Sequence, residues 1–123
     1  MIYKGSCYCK EVEFEFGDPI HSQILCHCRE CRYLSGGEPN ASIIISEDKF
    51  RVTRGKLKTF AREDLPKPRI RYFCANCGIH THNRPRIDPR IYGINIACVD
   101  GIKPFELKNI PVNDGENHPH DKK

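Results

Sequence analysis

Seven of the eight cysteines in this 123-residue chain fall into three short clusters, Cys7-x-Cys9, Cys26-x-Cys28-x-x-Cys31 and Cys74-x-x-Cys77, and this constrains the fold more than any other feature. Cys98 stands apart. The opening residues Met1 to Ser6 carry no apolar run and no small-residue cleavage site. The expected location is therefore the reducing cytoplasm, where cysteines spaced this closely serve metals more often than disulfides. Zinc is the expected ion, two per chain.

The spacing divides the seven ligands. Residues i and i+2 of a strand face the same way, so Cys7 and Cys9 can present both sulfurs to one ion. Cys74-Ala75-Asn76-Cys77-Gly78 has the form of a zinc knuckle, with glycine where the backbone must turn sharply. Together the two pairs make a four-cysteine site that joins distant chain segments, which suits a structural zinc. In the middle cluster Cys26 and Cys28 share a face at a strand end, and Cys31 follows in the first turn of a short helix. Three ligands leave a fourth position open, the pattern of a catalytic zinc. Three thiolates on a divalent ion carry a net charge near −1, and such a soft site is suited to hold a substrate thiol as thiolate beside an electrophile.

The rest of the chain reads as mainly β. Val12, Phe14 and Phe16 alternate with polar residues, which predicts a half-buried strand paired with the segment Tyr3 to Cys7. Further strands are expected near Ile20 to Cys26, Ser42 to Ser46, Phe50 to Thr53, Leu57 to Ala61, Ile70 to Phe73 and Ile91 to Val99. Arg29 to Leu34 is the one expected helix, ended by Gly36-Gly37. Glu63 to Arg69, with two prolines and four charges, reads as an exposed loop. The expected organisation is a single zinc-binding domain over residues 1–112 and a polar tail over 113–123. No apolar run is long enough to span a membrane. The formal charge is +4. Seven thiolates against two divalent ions lower it by three, to about +1, which argues against nucleic acid as a partner.

Several motifs resemble one family along nearly the whole chain. Gly5-Ser6-Cys7-Tyr8-Cys9 is similar to its opening motif, and Cys26-His27-Cys28-Arg29-Glu30-Cys31-Arg32-Tyr33-Leu34-Ser35-Gly36 to its signature. Val52-Thr53-Arg54-Gly55 with Leu57-Lys58-Thr59-Phe60 resembles its central hairpin, and Tyr72-Phe73-Cys74-Ala75-Asn76-Cys77-Gly78 its closing knuckle. The family is that of the glutathione-dependent formaldehyde-activating enzymes, which includes centromere protein V. The resemblance implies a zinc-centred β-tent of several small antiparallel sheets with one short helix. It implies a structural zinc on Cys7, Cys9, Cys74 and Cys77 and a catalytic zinc on Cys26, Cys28 and Cys31. The reaction implied is that of a carbon-sulfur lyase, joining glutathione or another small thiol reversibly to formaldehyde or a related small aldehyde. One departure is Lys10, where the family usually carries glycine.

Two other readings stand beside this one. The first is a non-catalytic zinc-stapled module that binds protein or nucleic acid. The second is a methionine-R-sulfoxide reductase, for which Cys98, in an apolar expected strand, is the one free thiol. Among the remaining residues, His80 and His82 are expected on one face of a strand, where they border the open site or are simply satisfied within the fold. Arg29, Arg32, Arg69 and Arg71 are candidates for binding the carboxylates of glutathione, against the commoner reading of solvated surface charges. The oligomeric state is not legible in the sequence.

Overall fold

Alternation between Val12 and Phe16 buries Val12, Phe14 and Phe16 and builds β2 (Glu13–Gly17), as the pattern predicts. The computed structural model describes residues 2–17, 20–27, 29–35, 40–86, 88, 90–102 and 111–113. For 20–22, 29–30, 40 and 113 it describes the backbone alone. Cys28 and nearly all of the expected polar tail lie outside the described residues.

β2 pairs antiparallel with β1 (Ile2–Ser6), Tyr3 opposite Phe16 and Gly5 opposite Phe14, and on its other edge with β5 (Phe50–Arg54). These three strands form the smaller sheet. The larger sheet contains β3 (Ile20–Cys26), β4 (Asn40–Ser46), β6 (Leu57–Phe60), β7 (Ile70–Cys74), β8 (His80–Arg84), β9 (Ile91–Asn95) and β10 (Val112–Asn113). Its order is β10-β3-β4-β9-β8-β7-β6, and every pair is antiparallel except β10 with β3. The α-helix among the described residues is α1 (Arg29–Ser35). The mainly β expectation holds, with the strands gathered into two sheets.

Opposed residues of paired strands share a face, so register decides what each face of the larger sheet carries. On one face Ile43 and Ile45 of β4 adjoin Ile94 and Tyr92 of β9. This face packs against Phe14, Phe16 and Phe50 of the smaller sheet to form the main core. Phe50 lies 5.5 Å from Phe14 and 5.0 Å from Tyr92 between ring centroids, so it bridges the two layers. Gly5 permits their close approach, because a Cβ there would meet the Cys98 carbonyl oxygen at 2.4 Å and the Phe14 ring at 2.5 Å.

The opposite face of the larger sheet is polar. Cys26 at the end of β3, Ser42 of β4, Asn95 of β9, Asn83 of β8 and Arg71 of β7 follow one another across it by register. Ser42, Asn83 and Arg71 are nonetheless buried.

The expected strand to Val99 stops four residues early. Asn95 turns its side chain onto the backbone and its Oδ1 accepts from Ala97 N–H at 3.1 Å, which caps a 3-10 turn over Ile96–Cys98. Among the described residues no helix is long and apolar enough to cross a membrane.

Candidate metal centre and thiol site

The sulfurs of Cys7, Cys9, Cys74 and Cys77 all lie within 4.8 Å of one another. Cys7 and Cys9 are 3.6 Å apart, and Cys9 and Cys74 3.7 Å. Four thiolates around one zinc, with bonds of about 2.3 Å in a tetrahedron, would sit about 3.8 Å apart. The cluster therefore has the dimensions of such a site, and it could bind a metal ion.

Local backbone geometry builds it from two turns. Cys7 follows β1, and the chain reverses so that Lys10 N–H bonds the Cys7 carbonyl at 3.3 Å and Val12 N–H points at Cys7 Sγ at 3.3 Å. Lys10 is left-handed there, with φ of 71°. Cys74 ends β7; Gly78, with φ of 78°, closes the second turn and its N–H bonds the Cys74 carbonyl at 3.0 Å. The N–H groups of Asn76 and Cys77 each donate to Cys74 Sγ at 3.3 Å, and the Asn76 amide donates to Cys9 Sγ at 3.3 Å.

These donors favour thiolate forms. Burial acts first on Cys77 and pushes its thiol up, but donation from the backbone of Ile79 and Cys9 outweighs it, and the thiol falls to about 6. Cys9 is lowered, chiefly by the Asn76 amide. Cys7 moves the other way, to about 11, because burial dominates. Cys9 and Cys77 thus lose their protons more readily than Cys7.

Two further cysteines reach the polar face of the larger sheet, Cys26 by register and Cys31 through arginine contacts. Cys26 at the end of β3 and Cys31 in α1 are both buried. Arg69 Nη1 donates to Cys31 Sγ at 3.3 Å, and Arg71 Nη2 approaches it at 3.6 Å. Arg71 is 1% exposed. Two of the four arginines considered for substrate carboxylates are therefore aimed at a cysteine. Arg32 is exposed and donates from Nε to the His27 carbonyl at 2.8 Å. The Arg29 side chain lies outside the described residues. The arginine contacts to Cys31 are what sequence reasoning missed; the available signal was Arg71 on the same strand face as Phe73, in a strand that ends at a knuckle cysteine.

The two strand histidines do not share a face. A bulge between Tyr72 and Phe73 on β7 and Thr81 on β8 sets His82 opposite Tyr72 but His80 opposite Phe73. His82 stacks on Tyr72 at 4.3 Å with planes 7° apart, and its Nδ1 lies 2.8 Å from Thr81 Oγ1. His80 turns to the polar face with Arg71. Burial, then Arg71 and His82, lower its pKa to about 3, with Cys31 acting in opposition.

Cys98 belongs to the main core, beside Ile96 and Val99. Its S–H donates to the His80 carbonyl at 3.7 Å, and burial pushes the thiol up to about 12. That is an inert thiol, as its apolar neighbours suggest, and it removes the nucleophile that a sulfoxide reductase requires.

Fold and site together define a small β protein built around cysteine clusters, one of them with the dimensions of a tetrathiolate metal centre. Residues 2–111 match the family model described as glutathione-dependent formaldehyde-activating enzyme, and the chain belongs to that family. It is also similar to a Rhodobacter sphaeroides protein of known crystal structure, at 29% identity and a TM-score of 0.75, over 89% of this chain and 99% of that one.

Proposed function

We propose that this chain is a zinc-dependent carbon-sulfur lyase of the glutathione-adduct type, which joins glutathione or a related small thiol to formaldehyde or another small aldehyde and reverses that step. The observation that carries the proposal is the pair of guanidinium groups donated to the buried Cys31 sulfur in a member of this family. In this reading residues 1–112 are one cytoplasmic domain. Cys7, Cys9, Cys74 and Cys77 hold a structural zinc, and Cys26, Cys28 and Cys31 hold the catalytic one.

Charge supports the second assignment. Three thiolates with one divalent ion carry −1, and a substrate thiolate in the fourth position makes −2. Such a charge is costly in a buried site unless it is compensated. Arg69 and Arg71 supply two positive charges at Cys31, which balances the occupied state. This also explains a guanidinium as deeply buried as that of Arg71. When bound, the catalytic zinc supplies the positive charge that keeps a substrate thiol deprotonated near neutral pH. The protein's own residues then act by burial and orientation. Cys26 and Cys31 lie where water is largely excluded, and Arg71, fixed on β7 between the neighbouring strands β6 and β8, holds the Cys31 sulfur in place.

Zinc per chain and turnover of glutathione with formaldehyde test the reading together. Wild-type protein is expected to hold two zinc ions and to form S-hydroxymethylglutathione; Cys31→Ser is expected to hold one and to lose at least about a hundredfold in turnover. Two ions retained in Cys31→Ser, with activity intact, would remove the middle cluster from the chemistry.

A further inference from the structure

We propose that His80 is the hydrogen-bonding partner of the substrate oxygen, the atom that is carbonyl in the aldehyde and hydroxyl in the thiol adduct. The inference rests on the lyase reading above and names a residue that the three-cysteine description of the site does not include.

His80 is 5% exposed, and neither ring nitrogen has a hydrogen-bond partner among the described residues. Buried polar groups are nearly always paired, and one left open in a native fold calls for a ligand or a water. His82, two residues on, is the internal control. Its ring nitrogen meets Thr81 and its face meets Tyr72, so it is satisfied by the protein itself.

A break in the alternation of β8 sets the direction of His80. Strict alternation would put His80 beside His82 on the core face, and the bulge at Thr81 redirects it to the face that carries Arg71 and Cys26. Bulges of this kind re-aim side chains next to active sites. Its backbone is pinned there by Asn95 Nδ2, which donates to the His80 carbonyl at 2.9 Å, and its ring packs against Phe73 at 5.6 Å. Arg71, on the same face of the sheet by register, and Arg69 both reach the Cys31 sulfur, so His80 faces the side of the sheet on which these groups meet.

A metal-ligand role fits less well. Among the described residues the four-cysteine group is the one whose ligand atoms all come within 4.8 Å, and Cys26, Cys31 and His80 do not form such a group. An imidazole held neutral chiefly by burial and by the Arg71 guanidinium offers one N–H donor and one acceptor. A hydroxyl both accepts and donates, so the adduct can meet either ring nitrogen of His80. In the forward step the thiolate sulfur bonds to the carbonyl carbon, the carbon-oxygen π pair moves to oxygen, and that oxygen takes a proton from water. His80 N–H donates a hydrogen bond to the oxygen as its negative charge grows.

The test compares His80→Leu, which removes donor and acceptor, with His80→Gln, which retains both. His80→Leu is expected to keep two zinc ions and glutathione affinity within about twofold, and to lose about 10- to 100-fold in kcat/KM for glutathione with formaldehyde. His80→Gln should recover part of that loss. Turnover of His80→Leu within twofold of wild type, or loss of one zinc, would overturn the proposal while leaving the lyase reading in place. Imidazole 15N spectra of the wild-type protein give a result independent of any variant. His80 should shift with glutathione plus formaldehyde and not with glutathione alone, and a His80 signal that ignores the aldehyde would overturn it. Wild-type protein without turnover would instead defeat the lyase reading, and this proposal with it.

Discussion

Lys10 sits in the left-handed region at φ of 71°, where an L-residue pays for contact between its Cβ and the backbone. Its side chain is exposed, so nothing packed offsets that cost, although Arg54 Nη2 donates to its carbonyl and ties the turn to β5. Glycine relieves the strain but adds freedom to the unfolded chain, and the first effect is the larger at this φ. Lys10→Gly is therefore expected to raise stability by about 0.5–1 kcal/mol without changing zinc content, read as a higher urea midpoint at unchanged slope. The departure from the family's glycine was visible in the sequence; that the turn keeps the glycine conformation with lysine in it was not. The reason is that the two cysteines just before it, Cys7 and Cys9, impose the turn whichever residue occupies it.

At the scale of elements, the apolar alternation that defines β2 and the bounds of β3 were legible, since the inward side chains that pair the sheets recur every second residue. The bulge in β8 was not, because one inserted residue depends on which neighbour the strand meets rather than on its own composition. His80 and His82 look equivalent in His80-Thr81-His82 and become opposites only in the sheet. Arg71 was legible as a strand residue but not as a buried one, since it is covered in part by a cysteine that α1 brings to it. The placement of His82 has a consequence for acid stability. Burial, followed by the Arg84 charge, lowers its pKa to about 3, against an unfolded value of about 6.5. Between those values the unfolded chain binds the proton that the folded one refuses, so the contribution of His82 is complete above about pH 6.5 and declines as pH falls toward 3. The decline is at most about 1.4 kcal/mol per pH unit. His82→Phe, which keeps a ring against Tyr72 and Phe50, should flatten the loss of stability between pH 6.5 and 5 in denaturant titrations, and an unchanged slope would assign the acid sensitivity to other groups.

Across the whole molecule the two sheets meet at one end through the main core and at the other through the four-cysteine cluster. Cys7 leaves β1 of the smaller sheet and Cys74 ends β7 of the larger, with Val12, Val52 and Leu57 as the main aliphatic residues around them. Three aliphatic side chains, two of them only partly buried, contribute at most about 1.5–3 kcal/mol each. A structural zinc is worth about 10–16 kcal/mol in small peptides, comparable with the roughly 5–15 kcal/mol that holds a domain folded. The two cysteine groups should thus fail differently. Cys74→Ser is expected to drop to one zinc or fewer and to lose most of its cooperative unfolding transition in circular dichroism. Cys31→Ser is expected to hold one zinc and melt within a few degrees of wild type, because Cys31 lies on one face of a sheet that the main core already supports from the other. If instead Cys74→Ser stayed folded and Cys31→Ser unfolded, the structural and catalytic assignments would have to be exchanged, since the metal that stabilises the fold would then be the one on the polar face beside Arg71.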